Sequence, residues 1–246
     1  MTDRDEALAG RRFGDAADAY VAGRPDYPRE VVDWLIGDAR AIADVGAGTG
    51  KLTAALVGPD RDVVAVEPDA GMLAALAREV PAARTEQGTA EALPLADASV
   101  DAVVYGQAWH WVEEPQASAE AARVLRPGGV LGLVWNVRDS SVDWVDELGR
   151  VIRGSAAERM IESDSVRVDP PFGPLERRDL RWTRAMTVEE LVAMAASRSY
   201  VIALPPEERA AVLDGVRALI ATHPATRGRE RVDLPYVTSA FRTRRP

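Results

Sequence analysis

The chain has 246 residues, 47% of them hydrophobic and 28% charged, with a net charge of −9 and no cysteine. That length suits one large α/β domain or a domain with an inserted cap. The acidic balance excludes a non-specific grip on nucleic-acid phosphates, and the missing cysteine excludes disulfides and thiolate chemistry. No apolar run reaches the ~18 residues of a bilayer span, and the polar start Met1-Thr2-Asp3-Arg4-Asp5-Glu6 is unlike a signal peptide. A cytoplasmic location with no nucleic-acid or membrane partner is therefore expected. The arginines Arg242, Arg244 and Arg245 read as solvated charge on or beyond a final strand.

In chain order, Phe13, Ala16 and Tyr20 are spaced to share one helix face. Arg24-Pro25 ends that helix, because a residue before Pro avoids helical backbone. Ile42–Gly46 reads as the first strand, Lys51–Val57 as a helix and Val63–Glu67 as the second strand. Helix Asp69–Glu79, a weak third strand Ala83–Gln87, strand Val100–Tyr105, helix Pro115–Leu125 and strand Val130–Asn136 follow. Short buried strands separated by helices predict a parallel sheet with helices on both faces. Arg126-Pro127-Gly128-Gly129 reads as a sharp turn between the last helix and its strand. Beyond Asn136 the rhythm changes. Asp143–Ile161 predicts a helix or helix pair, Thr187-Val188-Glu189-Glu190 a capping box opening a helix to about Ser197, and Pro205–Ala221 a further helix. Leu175–Thr183 and Val232–Arg244 predict two more strands.

The chemistry gathers at the strand ends. Asp44-Val45-Gly46-Ala47-Gly48-Thr49-Gly50 joins a strand to a helix, and its glycines let a ligand approach the backbone. Glu67 ends the second strand, where an acid accepts hydrogen bonds from both hydroxyls of a ribose. Together they predict an adenosine-type ligand at the carboxyl edge of the sheet. The dinucleotide fingerprint is G-x-G-x-x-G, but the third glycine here comes one residue early, and Lys51 is followed by Leu52 rather than the Ser or Thr of a phosphate-binding loop. No metal-ligand pattern is present, so no metal is expected.

With that Gly46-x-Gly48-x-Gly50 spacing the chain resembles the class I S-adenosylmethionine-dependent methyltransferases. The segment spelled by Phe13, Ala16, Tyr20, Arg24, Pro25, Tyr27 and Pro28, and the run Gln107-Ala108-Trp109-His110-Trp111, are similar to those of small-molecule methyltransferases of the trans-aconitate type. The resemblance implies a Rossmann-like α/β fold. Its seven-stranded, mostly parallel sheet has an antiparallel last strand, helices on both faces and a helical cap inserted after strand five. It implies one methyltransferase domain over 1–246, with lid helices in 1–38, a cofactor core in 41–138 and cap helices in 140–170 and 187–228. The implied cofactor is S-adenosyl-L-methionine, leaving as S-adenosyl-L-homocysteine, and the implied partner is a small-molecule methyl acceptor, the enzyme being a monomer or homodimer.

The implied cofactor-binding residues are Tyr20, Arg24, Asp44, Gly46, Ala47, Gly48, Thr49, Gly50, Glu67, Pro68, Met72, Thr89, Ala90, Glu91, Gln107, Ala108 and His110. Within this set Arg24 is placed by the cofactor carboxylate. Thr89-Ala90-Glu91 is placed by the adenine, with Thr89 standing where the family usually has Asp. The catalytic candidates are Tyr20, beside the transferring methyl, and His110. His110 has two readings: a base that takes a proton from an alcohol, phenol or amine acceptor, or a structural hydrogen-bonding histidine beneath the cofactor. Leu93 and Leu95 read as core, His223 as a partner for a helix C-terminus, and Arg138, Arg153 and Arg198 as surface residues or, failing that, contacts for an anionic substrate. A nicotinamide-dependent oxidoreductase and a non-catalytic cofactor-binding protein stand as alternatives.

Overall fold

A computed structural model of the chain describes residues 25–152 and 156–246. The predicted N-terminal helix with Phe13, Ala16, Tyr20 and Arg24, and also Arg153, lies outside the described residues.

Helix α1 (Arg29–Ile36) is followed by β1 (Ala41–Val45), α2 (Lys51–Leu56), β2 (Asp62–Glu67), α3 (Ala70–Glu79), β3 (Arg84–Gln87) and β4 (Val100–Gly106). A 3-10 turn (Trp109–Trp111), α4 (Glu114–Val124) and β5 (Leu125–Arg138) come next. Then follow α5 (Asp143–Ile152), α6 (Ala156–Glu162), β6 (Glu176–Thr187), α7 (Val188–Ala196), α8 (Ser199–Ile202), α9 (Pro206–Thr222) and β7 (Arg231–Arg244). The strands form one seven-stranded sheet in the order β3-β2-β1-β4-β5-β7-β6, with the last strand antiparallel. Its direction shows at both ends of β7. Gly128 N–H donates to Arg245 O (3.0 Å) near the start of β5, and Asp139 N–H donates to Pro235 O (3.0 Å) just past its end.

The chain divides into two compact units, with breaks within β5, α6, β6 and β7. One comprises Asp26–Asn136, Met160–Leu180 and Thr238–Pro246. Its inner strands are apolar on both faces, as a covered parallel sheet requires. The spacing of Val31, Val32, Leu35 and Ile36 gives α1 one apolar stripe, which packs with Ile42, Ala102, Val104 and Val130. Each such large side chain contributes about 1.5–3 kcal/mol by leaving water. Parallel register aligns the strand ends: Val45 lies opposite Val66, Glu67 opposite Gln87 and Gly106 opposite Val134. The loops that follow β1, β2, β3 and β4 therefore emerge along one edge.

The other unit contains Val137–Arg159 and Arg181–Val237. Trp144, Val145, Leu148 and Ile152 line one face of α5 and cluster with Leu191 and Met194 of α7, Val216 and Ile220 of α9, and Leu234 and Tyr236 of β7. The capping box forms as expected. The Thr187 hydroxyl oxygen accepts from Glu190 N–H (3.1 Å), and the Glu190 carboxylate accepts from Thr187 N–H (2.7 Å).

Four expectations are corrected. Arg138 and Arg198 are buried rather than surface residues, Arg138 in an ion pair with Glu158 at 2.9 Å. Leu95 is only half-buried, although Leu93 is in the core. The Arg126-Pro127-Gly128-Gly129 segment belongs to β5, whose first residues pair with the end of β7, and Gly128 (φ 78°) adapts the backbone there. Helix α4 has already ended at Val124, before the Pro.

Candidate active site

The glycine loop folds back over the end of β2. Gly46 and Ala47 N–H groups both donate to Val66 O (2.9 and 3.2 Å), which requires left-handed backbone at Gly46 (φ 66°). A Cβ at Gly46 would lie 2.7 Å from Ala108 Cβ, so this glycine also brings the β1 and β4 loops together. Gly48 is left-handed too (φ 57°), and the space a Cβ would occupy there is open. Gly50 (φ 90°) caps the N-terminus of α2.

Glu67 is the anchor of the loop. One carboxylate oxygen accepts from Gly48 N–H (2.8 Å) and the other from Asp69 N–H (3.0 Å), and the residue is buried. Burial raises its carboxyl above the ordinary range, against the pull of those two backbone donors. Asp69 in turn caps α3 by accepting from Met72 N–H (2.8 Å), which fixes buried Met72 beside the site. The Pro68 carbonyl between them accepts from Gln87 Nε2 (3.0 Å).

Asp44 is fully buried at the end of β1. Its Oδ2 accepts a short hydrogen bond from the Thr53 hydroxyl (2.6 Å), while Oδ1 has no partner among the described residues. Burial is the main force pushing the Asp44 carboxyl up to about 7; the Thr53 hydrogen bond opposes it and the nearby Glu67 charge adds to it. Thr53 is not marked by any motif; its place on the first turns of α2, facing β1, is what brings it to Asp44.

The loop after β3 begins against β2, with Gly88 N–H donating to Glu67 O (3.4 Å). Thr89 is exposed and Ala90 buried, and the Glu91 carboxylate accepts from Glu113 N–H (3.0 Å). The sequence reading missed the support beneath this loop: the Arg123 guanidinium donates to Leu93 O (3.0 Å), Leu95 O (2.8 Å) and Glu120.

The turn after β4 is fastened to β5. Gln107, left-handed at φ 57°, donates its N–H to Val134 O (2.9 Å) and its side-chain amide to Asn136 O (2.8 Å). Ala108 is buried against Gly46. Trp109 is core, its indole N–H donating to Arg167 O (2.8 Å), whereas Trp111 is 43% exposed. The half-buried His110 accepts at Nδ1 from the indole N–H of Trp135 (3.3 Å). Trp135 and Asn136 also escaped the sequence reading. Asn136 Oδ1 accepts from the Thr238 hydroxyl (2.6 Å), and its amide donates to Asp26 O (3.3 Å). Their signal was only a polar residue ending an apolar strand.

These contacts link Asp44, Gly46–Gly50, Glu67, Ala108, Gln107 and His110 along one edge of one unit. Tyr20 and Arg24 lie outside the described residues. His223, in the other unit, follows the last turn of α9 and sits 3.5 Å from Asp143. Asp143, Glu147 and His223 could gather a cation by distance alone. However, His223 Nδ1 accepts from Ala225 N–H (3.1 Å), so the ring proton sits on Nε2 facing Asp143, the arrangement of a hydrogen bond rather than of a metal ligand. No helix among the described residues is long and apolar enough to cross a membrane.

A methyltransferase-domain family model matches residues 43–133, the span that builds this edge. An uncharacterized methyltransferase of Mycobacterium tuberculosis is 48% identical over 240 residues, covering 97% of this chain and 96% of that one. A methyltransferase-like protein of Schizosaccharomyces pombe is 35% identical over 237 residues, covering 92% of each. Among solved structures, a candidate type II methyltransferase of Anaeromyxobacter dehalogenans is similar with a TM-score of 0.71 at 27% identity, covering 90% of this chain and 97% of that one. Sequence similarity along almost the whole length, and a sheet whose glycine loop and acid stand at adjacent strand ends, place the chain in the class I S-adenosylmethionine-dependent methyltransferase family.

Proposed function

We propose that the chain transfers a methyl group from S-adenosylmethionine to a small-molecule acceptor, at oxygen, nitrogen or carboxylate, by in-line displacement, releasing S-adenosylhomocysteine. The observation that carries this reading is Glu67, a buried carboxylate clamped by the N–H of Gly48 at the sheet edge. Each of its oxygens keeps a lone pair beyond its backbone bond, enough to receive two ribose hydroxyls.

The residues fit the cofactor in three further respects. Gly48 leaves open space where a side chain would stand. Asp44 holds one buried oxygen with no partner among the described residues, a place for a donor from a ligand. The loop Thr89-Ala90-Glu91 follows Gly88, whose N–H donates to Glu67 O, so it leaves the sheet beside the acid that would hold the ribose. Pro68 and Met72 would border the ribose side, Ala47 and Thr49 would complete the loop around the methionine part, and Gln107, Ala108 and His110 would flank it from β4. Tyr20 and Arg24 are assigned with them, the first near the transferred methyl and the second near the carboxylate. The bound cofactor supplies an electrophilic methyl and a neutral sulfide as leaving group. The chain's own residues then orient the acceptor and exclude water, and orientation of this kind is worth ~7–11 kcal/mol in well-aligned cases.

The direct test is incubation with methyl-labelled S-adenosylmethionine and a panel of carboxylate, phenol and amine acceptors, read by mass spectrometry. A labelled product that disappears in Glu67→Ala supports the reading. Cofactor binding with no labelled product from any class would overturn the catalytic part of it.

A further inference from the structure

We propose that Trp135 is a positioning residue that holds His110 as a neutral imidazole protonated at Nε2, so that His110 does not serve the transfer as a general base. The inference rests on the methyl-transfer reading for its consequence, but not for its geometry.

An indole N–H can only donate, so the His110 nitrogen that faces it must be the unprotonated one. That nitrogen is Nδ1, at 3.3 Å from Trp135 Nε1. In a neutral ring the proton is then on Nε2. Moving it to Nδ1 would set N–H against N–H and strand a donor in the core, since Trp135 is fully buried. The indole has little freedom to turn aside: it is packed edge-on against Phe241, with ring centres 5.9 Å apart at 80°.

The pairing follows from the sheet. Strands β4 and β5 are parallel with Gly106 opposite Val134, so the chain leaving β4 runs past residues 134–136. Gln107 ties that turn to Val134 by its N–H and to Asn136 by its side chain, on either side of Trp135. The indole thus meets the turn at a fixed height, and His110 is the residue it finds.

A ring protonated at Nε2 with Nδ1 occupied cannot take a proton from an acceptor. An acceptor that is already ionised when it binds needs no base, so the inferred acceptor is an anionic oxygen. One oxygen lone pair forms the new bond to carbon, the carbon–sulfur pair leaves with sulfur, the two charges cancel, and no proton reaches the protein.

The test is long-range proton–nitrogen NMR on uniformly nitrogen-15-labelled full chain, with His223→Gln to assign the other histidine. The expected spectrum shows His110 as a single neutral tautomer protonated at Nε2, with a through-hydrogen-bond coupling between Trp135 Nε1 and His110 Nδ1. In Trp135→Phe the expected result is a mixture of tautomers. A His110 protonated at Nδ1 in the wild type, or an unchanged single tautomer in Trp135→Phe, would overturn the proposal. If Trp135→Phe does not fold, the wild-type tautomer and coupling decide. S-adenosylhomocysteine titrated into the same sample separates the two readings, because failure to bind would count against the proposed function while leaving the tautomer result intact.

Discussion

The unit that carries the glycine loop and the unit built from Val137–Arg159 and Arg181–Val237 are held together by different means. In the first, backbone groups do most of the work at the site. Gly46, Ala47, Gly48, Asp69 and Gln107 each donate an N–H to a fixed acceptor, and the parallel register sets their heights. In the second, side chains distant in sequence meet: Arg138 with Glu158, Arg181 with Asp139 (3.3 Å), and Trp182 stacked on Tyr236 at 5.1 Å. A backbone-built site tolerates change in most side chains but not in its glycines. A side-chain-built core does the reverse.

Substitutions can break this contrast, and the largest effect is expected at the buried ion pair. Glu158→Ala leaves Arg138 buried without that carboxylate, and breaking such a pair costs about 3–5 kcal/mol. Chemical denaturation is expected to show that loss, while calorimetry finds S-adenosylhomocysteine affinity unchanged. A parallel loss of affinity would mean that the ligand site depends on the other unit.

Gly46→Ala should instead act on the ligand site itself. Left-handed backbone costs a residue with a Cβ about 1–2 kcal/mol, and the added carbon would lie 2.7 Å from Ala108 Cβ, an overpacking worth about 1–3 kcal/mol more. Stability should fall by the two costs together, and affinity by on the order of tenfold or more, each tenfold being about 1.4 kcal/mol. Full affinity in this variant would show that the loop is only a turn.

The third effect is a pH dependence. The Asp44 carboxyl lies at about 7 in the folded chain against an ordinary value of 3.8. A raised pKa means that the folded state binds the proton more tightly. Its contribution to stability is therefore complete below the unfolded value and is lost as pH rises from about 4 through about 7. Glu67 shifts in the same direction, whereas Glu120, held low by Arg123, acts below this interval. Asp44→Asn should flatten, without abolishing, the fall in ligand-free melting temperature across it. An unchanged slope would show that Asp44 does not titrate there.

The same contrast explains what the sequence made legible. The order of strands and helices, the glycine loop, Glu67 and the Thr187–Glu190 capping box follow from local patterns, because each needs particular residues at short spacing. Thr53, Arg123, Trp135 and Asn136 do not. Each acts through a partner on another element, such as Trp135 on His110 or Arg123 on the carbonyls of Leu93 and Leu95, and no local period encodes that pairing. Arg138 and Arg198 misled for the same reason. Arginine is mostly exposed, and only a partner such as Glu158, twenty residues on from Arg138, reverses that default.

The central claim is that the short glycine loop and Glu67 hold a sulfonium nucleoside and not a dinucleotide. Calorimetric titration of the full chain with S-adenosylhomocysteine and, separately, with NADH tests it most directly. Saturable binding of S-adenosylhomocysteine, weakened in Gly46→Ala, with no heat from NADH is the expected result. Saturable binding of NADH with none of S-adenosylhomocysteine would contradict it.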